Sequence, residues 1–225
     1  GHKVVMSPHA YCYIDAPQDA PPTQPEAIGG YLPLEKVDSY DPTPKEMPED
    51  VAQYILGVQG NLWAEFIPTD EHYEMMLWPR AIAIAEVGWS ERENMDYAHF
   101  RTRATNIVER MMAEGYAPFD LKNEIGERPE SLQPIKHLAR GKAVTYNLPS
   151  RYYAPQYGAA GDATLTDGLR GTWTYADGRW QGFLGRGGVD VTIDMGEVTH
   201  IESITADFMQ YCGPGVFMPC LVEIA

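Results

Sequence analysis

Two short residue pairs carry the chemistry this sequence could perform. Tyr13-x-Asp15 and Trp63-x-Glu65 each set an aromatic ring two residues from a carboxylate. Sugars present apolar C–H faces and rings of hydroxyl groups. An aromatic ring packs against the first, and a carboxylate accepts paired hydrogen bonds from the second. W-x-E alone is a common pattern, and a core tryptophan beside a solvated glutamate is its ordinary alternative. Two neighbouring strands that each end in an aromatic and an acid make a stronger joint case, because in an α/β barrel the C-terminal strand ends carry the site. The remaining candidates are weaker. Ser7 and His9 lack a nucleophile elbow, and His9, His72 and His99 have no metal-ligand spacing. Glu71 and Glu74 read as partners of a helix dipole. Trp78 and Trp89 read as core residues. Trp173, Tyr175 and Trp180 read as core aromatics, with a sugar-stacking platform as the alternative.

Those pairs need elements to hold them. Lys3–Met6 is a short β-branched run stopped by Ser7-Pro8 and fits a fully buried strand of a parallel sheet. Ile55–Val58 is a second strand, interrupted at Gly57 and followed by Gly60. Between them, Asp15 to Asp50 is rich in proline and reads as an ordered loop with at most a short helix near Leu34–Val37. Thr69-Asp70 can cap a helix, expected to run to about Trp89 with a kink at Pro79. Tyr97, Phe100, Ala104, Ile107 and Met111 then recur at helical steps up to Gly115. Strand, loop, strand, helix, helix reads as the closing section of an α/β domain.

The character changes after this. Residues 119–136 carry mixed charge, Gly126, Pro129 and Pro134, and read as a linker. From residue 137 turn signals come at short intervals: Gly141, Pro149, Gly158, Asp167-Gly168, Asp177-Gly178 and Gly187-Gly188. Val189, Val191 and Ile193 alternate with polar residues, and Ile204, Ala206 and Phe208 alternate again, as in an antiparallel sheet with one solvated face. The expected organisation is therefore residues 1–118, a linker over 119–136, and a β-sandwich over 137–225.

Composition narrows the partners. The chain has 225 residues, 44% hydrophobic and 22% charged, enough to bury a core. A net charge of −15 argues against nucleic acid or an anionic membrane surface as partner. No apolar run reaches the roughly 18 residues of a membrane span. The three cysteines, Cys12, Cys212 and Cys220, cannot all pair and show no metal spacing. There is no signal-peptide pattern at Gly1, and Leu221–Ala225 resembles an interrupted strand, so a fragment of a longer protein is expected.

GVQGNLWAEFI followed by YEMMLWPRAIAIAEVGWS resembles the family 20 glycoside hydrolases, the β-N-acetylhexosaminidases. Their last barrel strand is commonly G-x-x-x-x-x-W-x-E, followed by E-Y-M-x-x-P-R-x-x-A-x-A-E-x-x-W. Gly57, Trp63, Glu65, Met76, Pro79, Arg80, Ala83, Ala85, Glu86 and Trp89 fit that pattern. VVMSPHAYCYID resembles the preceding strand, whose Y-x-D falls on Tyr13 and Asp15, and YLPLEKVDSYDP resembles the connecting loop. The resemblance covers roughly residues 1–115. It implies the C-terminal portion of a TIM (β/α)8 barrel and exo-acting hydrolysis of terminal β-linked N-acetylhexosamine, in which the substrate's 2-acetamido oxygen is the nucleophile. No catalytic cofactor is implied. The family's Asp-Glu pair, which orients the acetamido group and protonates the leaving oxygen, sits in an H-x-G-G-D-E motif that this sequence does not contain. By resemblance, Tyr13 aligns the acetamido oxygen, Trp63 walls the pocket, and Asp15 and Glu65 bind O4 and O6 of the terminal sugar. The implied partners are N-acetylhexosamine-terminated glycans, and the implied location is secreted or periplasmic. A non-catalytic, lectin-like protein is the alternative.

The second region resembles the discoidin-like, family 32 type carbohydrate-binding modules, on LARGKAVT, TLTDG (Thr164–Gly168), WQGF and VTIDMGEV. It implies a truncated β-sandwich of galactose-binding-like jelly-roll type. A structural calcium is also implied, with Asp167 and Thr172 as the positions to examine.

Overall fold

A computed structural model describes residues 1–147, 157–184 and 188–225. The chain divides into two compact units, residues 1–126 and residues 127–225.

The first unit is mixed α/β. Strand β1 (Val4–Met6) pairs in parallel with β2 (Ile55–Val58), in the register Val4↔Ile55, Val5↔Gly57, Met6↔Val58, with an irregularity between Val4 and Val5. Gly57 absorbs that irregularity at φ 149°, where an L side chain would strain the backbone although the space around it is open. Between the strands lie α1 (His9–Cys12), α2 (Leu34–Asp38) and α3 (Glu49–Ala52). The parallel pairing resumes beyond α1. Asn61 N–H donates to Cys12 O at 2.7 Å, Ile14 N–H donates to Asn61 O at 2.8 Å, and Tyr13 bridges Asn61. The expectation that Lys3–Met6 is buried on both faces does not hold, since Val4 and Val5 are 42% and 49% exposed. A two-stranded ladder leaves both outer edges without a strand, and each strand keeps an open flank.

Helix α4 (Asp70–Leu77) is capped by Thr69, whose Oγ1 accepts from His72 N–H at 3.2 Å. The single kinked helix expected as far as Trp89 is instead two. At Trp78 the chain turns extended (φ −101°, ψ 136°), and α5 (Arg80–Trp89) starts after Pro79. Proline has no N–H to continue the ladder and pushes the residue before it out of the helical region. Helix α6 (Tyr97–Ala113) is capped by Asp96, which accepts from His99 N–H at 3.1 Å. It buries Phe100, Ala104 and Val108 at steps of four, with Tyr97, Ile107 and Met111 half-buried beside that seam. It ends at Gly115, in the left-handed region at φ 93°.

One core unites these elements. Ile14, Leu32, Leu34 and Val37 from the long connection pack with Ala83 of α5, with Phe100, Ala104 and Val108 of α6, and with Phe119 and Leu121. The proline-rich connection is therefore ordered, and it contributes as much to the core as the helices do. Residues 119–126, expected as the start of a linker, belong to this packing. Phe119 N–H donates to Trp78 O at 3.2 Å, and the buried Asp19 carboxylate accepts from Ile125 N–H and Gly126 N–H at 2.9 and 2.8 Å. Trp89, expected in the core, is 91% exposed on the last turn of α5, while Trp78 is half-buried.

In the second unit, β3 (Ala143–Tyr146) pairs antiparallel with β4 (Val191–Asp194), Ala143↔Asp194 through Tyr146↔Val191. A 3-10 turn over Gly161–Thr166 buries Thr164 and Thr166. The Arg128 guanidinium sits 5.9 Å from the Trp173 ring centre and 5.5 Å from that of Trp180, and pairs with Asp207 at 2.6 Å. Among the described residues this two-stranded ladder is the only sheet of the unit, with no second sheet facing it. Ile204 and Phe208, expected on a strand, are in no strand and are 58% and 46% exposed. The turn signals at Pro149 and Gly187 lie outside the described residues. No helix among the described residues is long and apolar enough to cross a membrane. Cys12, Cys212 and Cys220 are all free thiols, and burial pushes Cys12 up to about 11.

Candidate sugar-binding site

The resumed ladder places both aromatic–acid pairs. Ile14 enters the core and Leu62 packs against it. Tyr13 is half-buried, and Trp63 is 53% exposed, an indole face open to a ligand. Asp15 follows at the turn after the ladder and is only 6% exposed, whereas Glu65 is exposed.

The charge of Glu65 reaches Asp15. Asp15 is held above the ordinary carboxylate range first by burial and further by the charge of Glu65. A hydrogen bond from its own backbone, the Arg80 guanidinium and His9 act in the opposite direction. A carboxylate kept from water, with a second acid near it, is a strong acceptor for hydroxyl donors. Sequence reasoning set His9 aside as a metal ligand or triad member, yet the structure puts it in the site. Its ring centre lies 4.9 Å from that of Tyr13, tilted by 51°. The i, i+4 spacing of His9 and Tyr13 around a helical turn was the available signal.

A cleft of about 340 Å³ is lined by Glu26, Glu65, Phe66, Ile67 and His72 among others. Burial lowers the pKa of His72, favouring its neutral form, and its Nε2 has no hydrogen-bond partner. Tyr13, Asp15 and Trp63 do not line this cleft. Glu71 lies in the first turn of α4, as a dipole partner should. Glu74 instead reaches across the unit, its Oε2 accepting from Ala117 N–H at 2.7 Å.

Asp167 and Thr172 each make a local turn contact: Asp167 Oδ1 accepts from Leu169 N–H at 2.7 Å, and the Thr172 hydroxyl donates to Asp177 Oδ2 at 2.8 Å. Calcium takes roughly six to eight oxygen ligands, and among the described residues no group of three or more His, Cys, Asp or Glu side chains could hold a metal ion. Trp173 and Trp180 are half-buried against Arg128. Trp180 Nε1–H donates to Thr172 O at 3.0 Å, the role of a packing aromatic.

Known proteins resemble part of this chain. A beta-hexosaminidase of Porphyromonas gingivalis is 44% identical over 115 residues, covering 51% of this chain and 15% of that protein. A beta-hexosaminidase of Akkermansia muciniphila is 35% identical over 106 residues, covering 46% of this chain and 20% of that protein. The chain thus spans a fifth or less of the length of these two relatives. The solved N-acetyl-beta-hexosaminidase of Streptomyces plicatus in complex with Thio-NAglucal aligns with a TM-score of 0.49 at 23% identity, over 56% of this chain and 25% of that one. Residues 1–92 match the catalytic domain of glycosyl hydrolase family 20, and over that stretch the chain is similar to this family of glycosidases.

Proposed function

We propose that residues 1–126 form the substrate-holding side of the pocket of an exo-acting β-N-acetylhexosaminidase, working with an Asp-Glu pair supplied by the rest of the barrel. The observation that carries this reading is the two aromatic–x–acid motifs, linked by the Tyr13–Asn61 bridge, within the segment that matches the family. In this pocket Trp63 lies along the sugar face, and Asp15 and Glu65 accept hydrogen bonds from O4 and O6 of the terminal residue. Fixing those hydroxyls admits only a chain end, which makes cleavage exo. The Tyr13 hydroxyl donates to the acetamido oxygen and aligns it on the anomeric carbon, an internal attack whose rate depends on orientation. The acetamido oxygen displaces the protonated glycosidic oxygen, and water then opens the oxazolinium ion with retention.

Two measurements test this reading. The 225-residue chain, lacking an H-x-G-G-D-E motif, should leave a chromogenic N-acetyl-β-glucosaminide uncleaved, and turnover by it would refute the division of labour. In the full-length protein, Tyr13→Phe should lower kcat on the order of 100-fold with a much smaller change in KM, because a lost aligning contact acts on the attack. An unchanged kcat would remove Tyr13 from its role.

A further inference from the structure

Arg80 heads the fully buried side chains by volume, at 0% exposure. A buried guanidinium ordinarily pairs with a carboxylate. Among the described residues Arg80 makes no such ion pair. Its Nη1 donates to Ala16 O at 2.7 Å and Leu32 O at 3.1 Å, and its Nη2 donates to Ile14 O at 2.5 Å and Met76 O at 2.9 Å. Its Nε also reaches Met76 O, at 3.3 Å. Burial pushes Arg80 down to about 9, so it remains a cation at neutral pH.

The choice of carbonyls is what matters. Ile14 O belongs to the peptide that leads into Asp15 and Ala16 O to the peptide one step beyond the acid's own, so the chain is held on both sides of Asp15 by one rigid fork. Met76 O, the third anchor, is a carbonyl of the last turn of α4, which the helix itself leaves without a partner. Gln18 Nε2 donates to the neighbouring Met75 O, a second tie from the same loop to the same helix end. Leu32 N–H donates to Pro17 O at 2.8 Å and closes the loop on itself.

We propose that Arg80 is a positioning residue for Asp15: it fixes the acid's backbone, and so the point at which a sugar hydroxyl meets the carboxylate. This rests on the reading of Asp15 as a hydroxyl ligand given above. Lysine cannot replace the fork, because a single ammonium cannot hold diverging carbonyls from three chain segments in fixed directions.

The test compares kcat/KM in the full-length protein for an N-acetyl-β-glucosaminide and for its 4-deoxy and 6-deoxy analogues, with Arg80→Lys, Arg80→Gln and Asp15→Asn. Asp15→Asn should abolish the preference for the hydroxylated substrate. The Arg80 variants should do the same, lowering kcat/KM about 100-fold on the parent substrate, the order expected of a displaced contact group, and less than about 3-fold on one of the deoxy analogues. Equal losses on all substrates, or an intact preference, would overturn the inference. Failure of both Arg80 variants to fold would also overturn it, by making Arg80 a fold determinant alone. If Asp15→Asn keeps the preference, the reading of the site itself is what fails.

Discussion

The two units solve the problem of burying side chains in opposite ways. The first assembles a core from α2, α5, α6 and the long connection, sealed by a cation whose oxygen partners are backbone carbonyls. The second ties its turns with side-chain ion pairs, Arg128 and Arg170 both meeting Asp207 at 2.6 Å, and leaves Ile193, Ile204, Phe208 and Phe217 open to solvent. The first unit's helices find partners far along the chain, α2 packing on α5 and the seam of α6 joining the cluster that holds Ile14. Alternating strands have to find a second sheet, and a single ladder between β3 and β4 gives their apolar faces nothing to pack on.

The largest effect should come from the first core. Phe100→Ala should cost about 3–5 kcal/mol, the range for emptying a buried aromatic site, and a cooperative loss of the first unit's resonances in NMR-monitored denaturation checks it. A loss below 1 kcal/mol would mean that the seam of α6 is not the keystone described. A pH effect is next. Asp38 is raised to about 6, first by burial and then by the charge of Glu86, against Arg92 and Arg103. A carboxyl raised on folding contributes stability that is whole below its ordinary value of 3.8 and lost as pH climbs through 6. Asp38→Asn should therefore stabilise the first unit at pH 8, on the order of 1 kcal/mol, and leave it nearly unchanged at pH 3.5, as read from denaturation midpoints. An equal gain at both values would assign the effect to something other than ionisation. Smallest of all, Ile204→Ser should change the second unit's stability by no more than about 0.5 kcal/mol, as for an exposed site. A loss of about 2 kcal/mol would show that this side chain is covered, and the contrast between the units would narrow.

Much of the first unit was legible in the residues. The Thr69 cap, the seam of α6, the short helix at Leu34 and both strands follow from local spacing. The break at Pro79 was under-read as a kink. Arg80 was visible only as a member of a family pattern, because its carbonyl partners Ile14 and Ala16 lie 66 and 64 residues away. A lone charge opening the apolar run RAIAIA was the local hint. Asp19 is similar, its partners being Ile125 and Gly126, 106 and 107 residues on, which is why residues 119–126 read as a linker. In the second unit, alternation gave the antiparallel β4 but could not provide the facing sheet that a sandwich requires.

The Tyr13–Asn61 bridge carries a consequence of parity. Because Asn61 is held to Cys12 and Ile14 on either side of Tyr13, the two aromatic–acid pairs are phased together like teeth of one zip. Inserting a single residue between Asn61 and Leu62 would shift Trp63 and Glu65 by one place against Tyr13 and Asp15 while leaving the composition of the site intact. Two inserted residues would restore the phase. The segment 41–48, which lies outside this ladder, is free of that arithmetic, so variation in length belongs there and not beside the bridge.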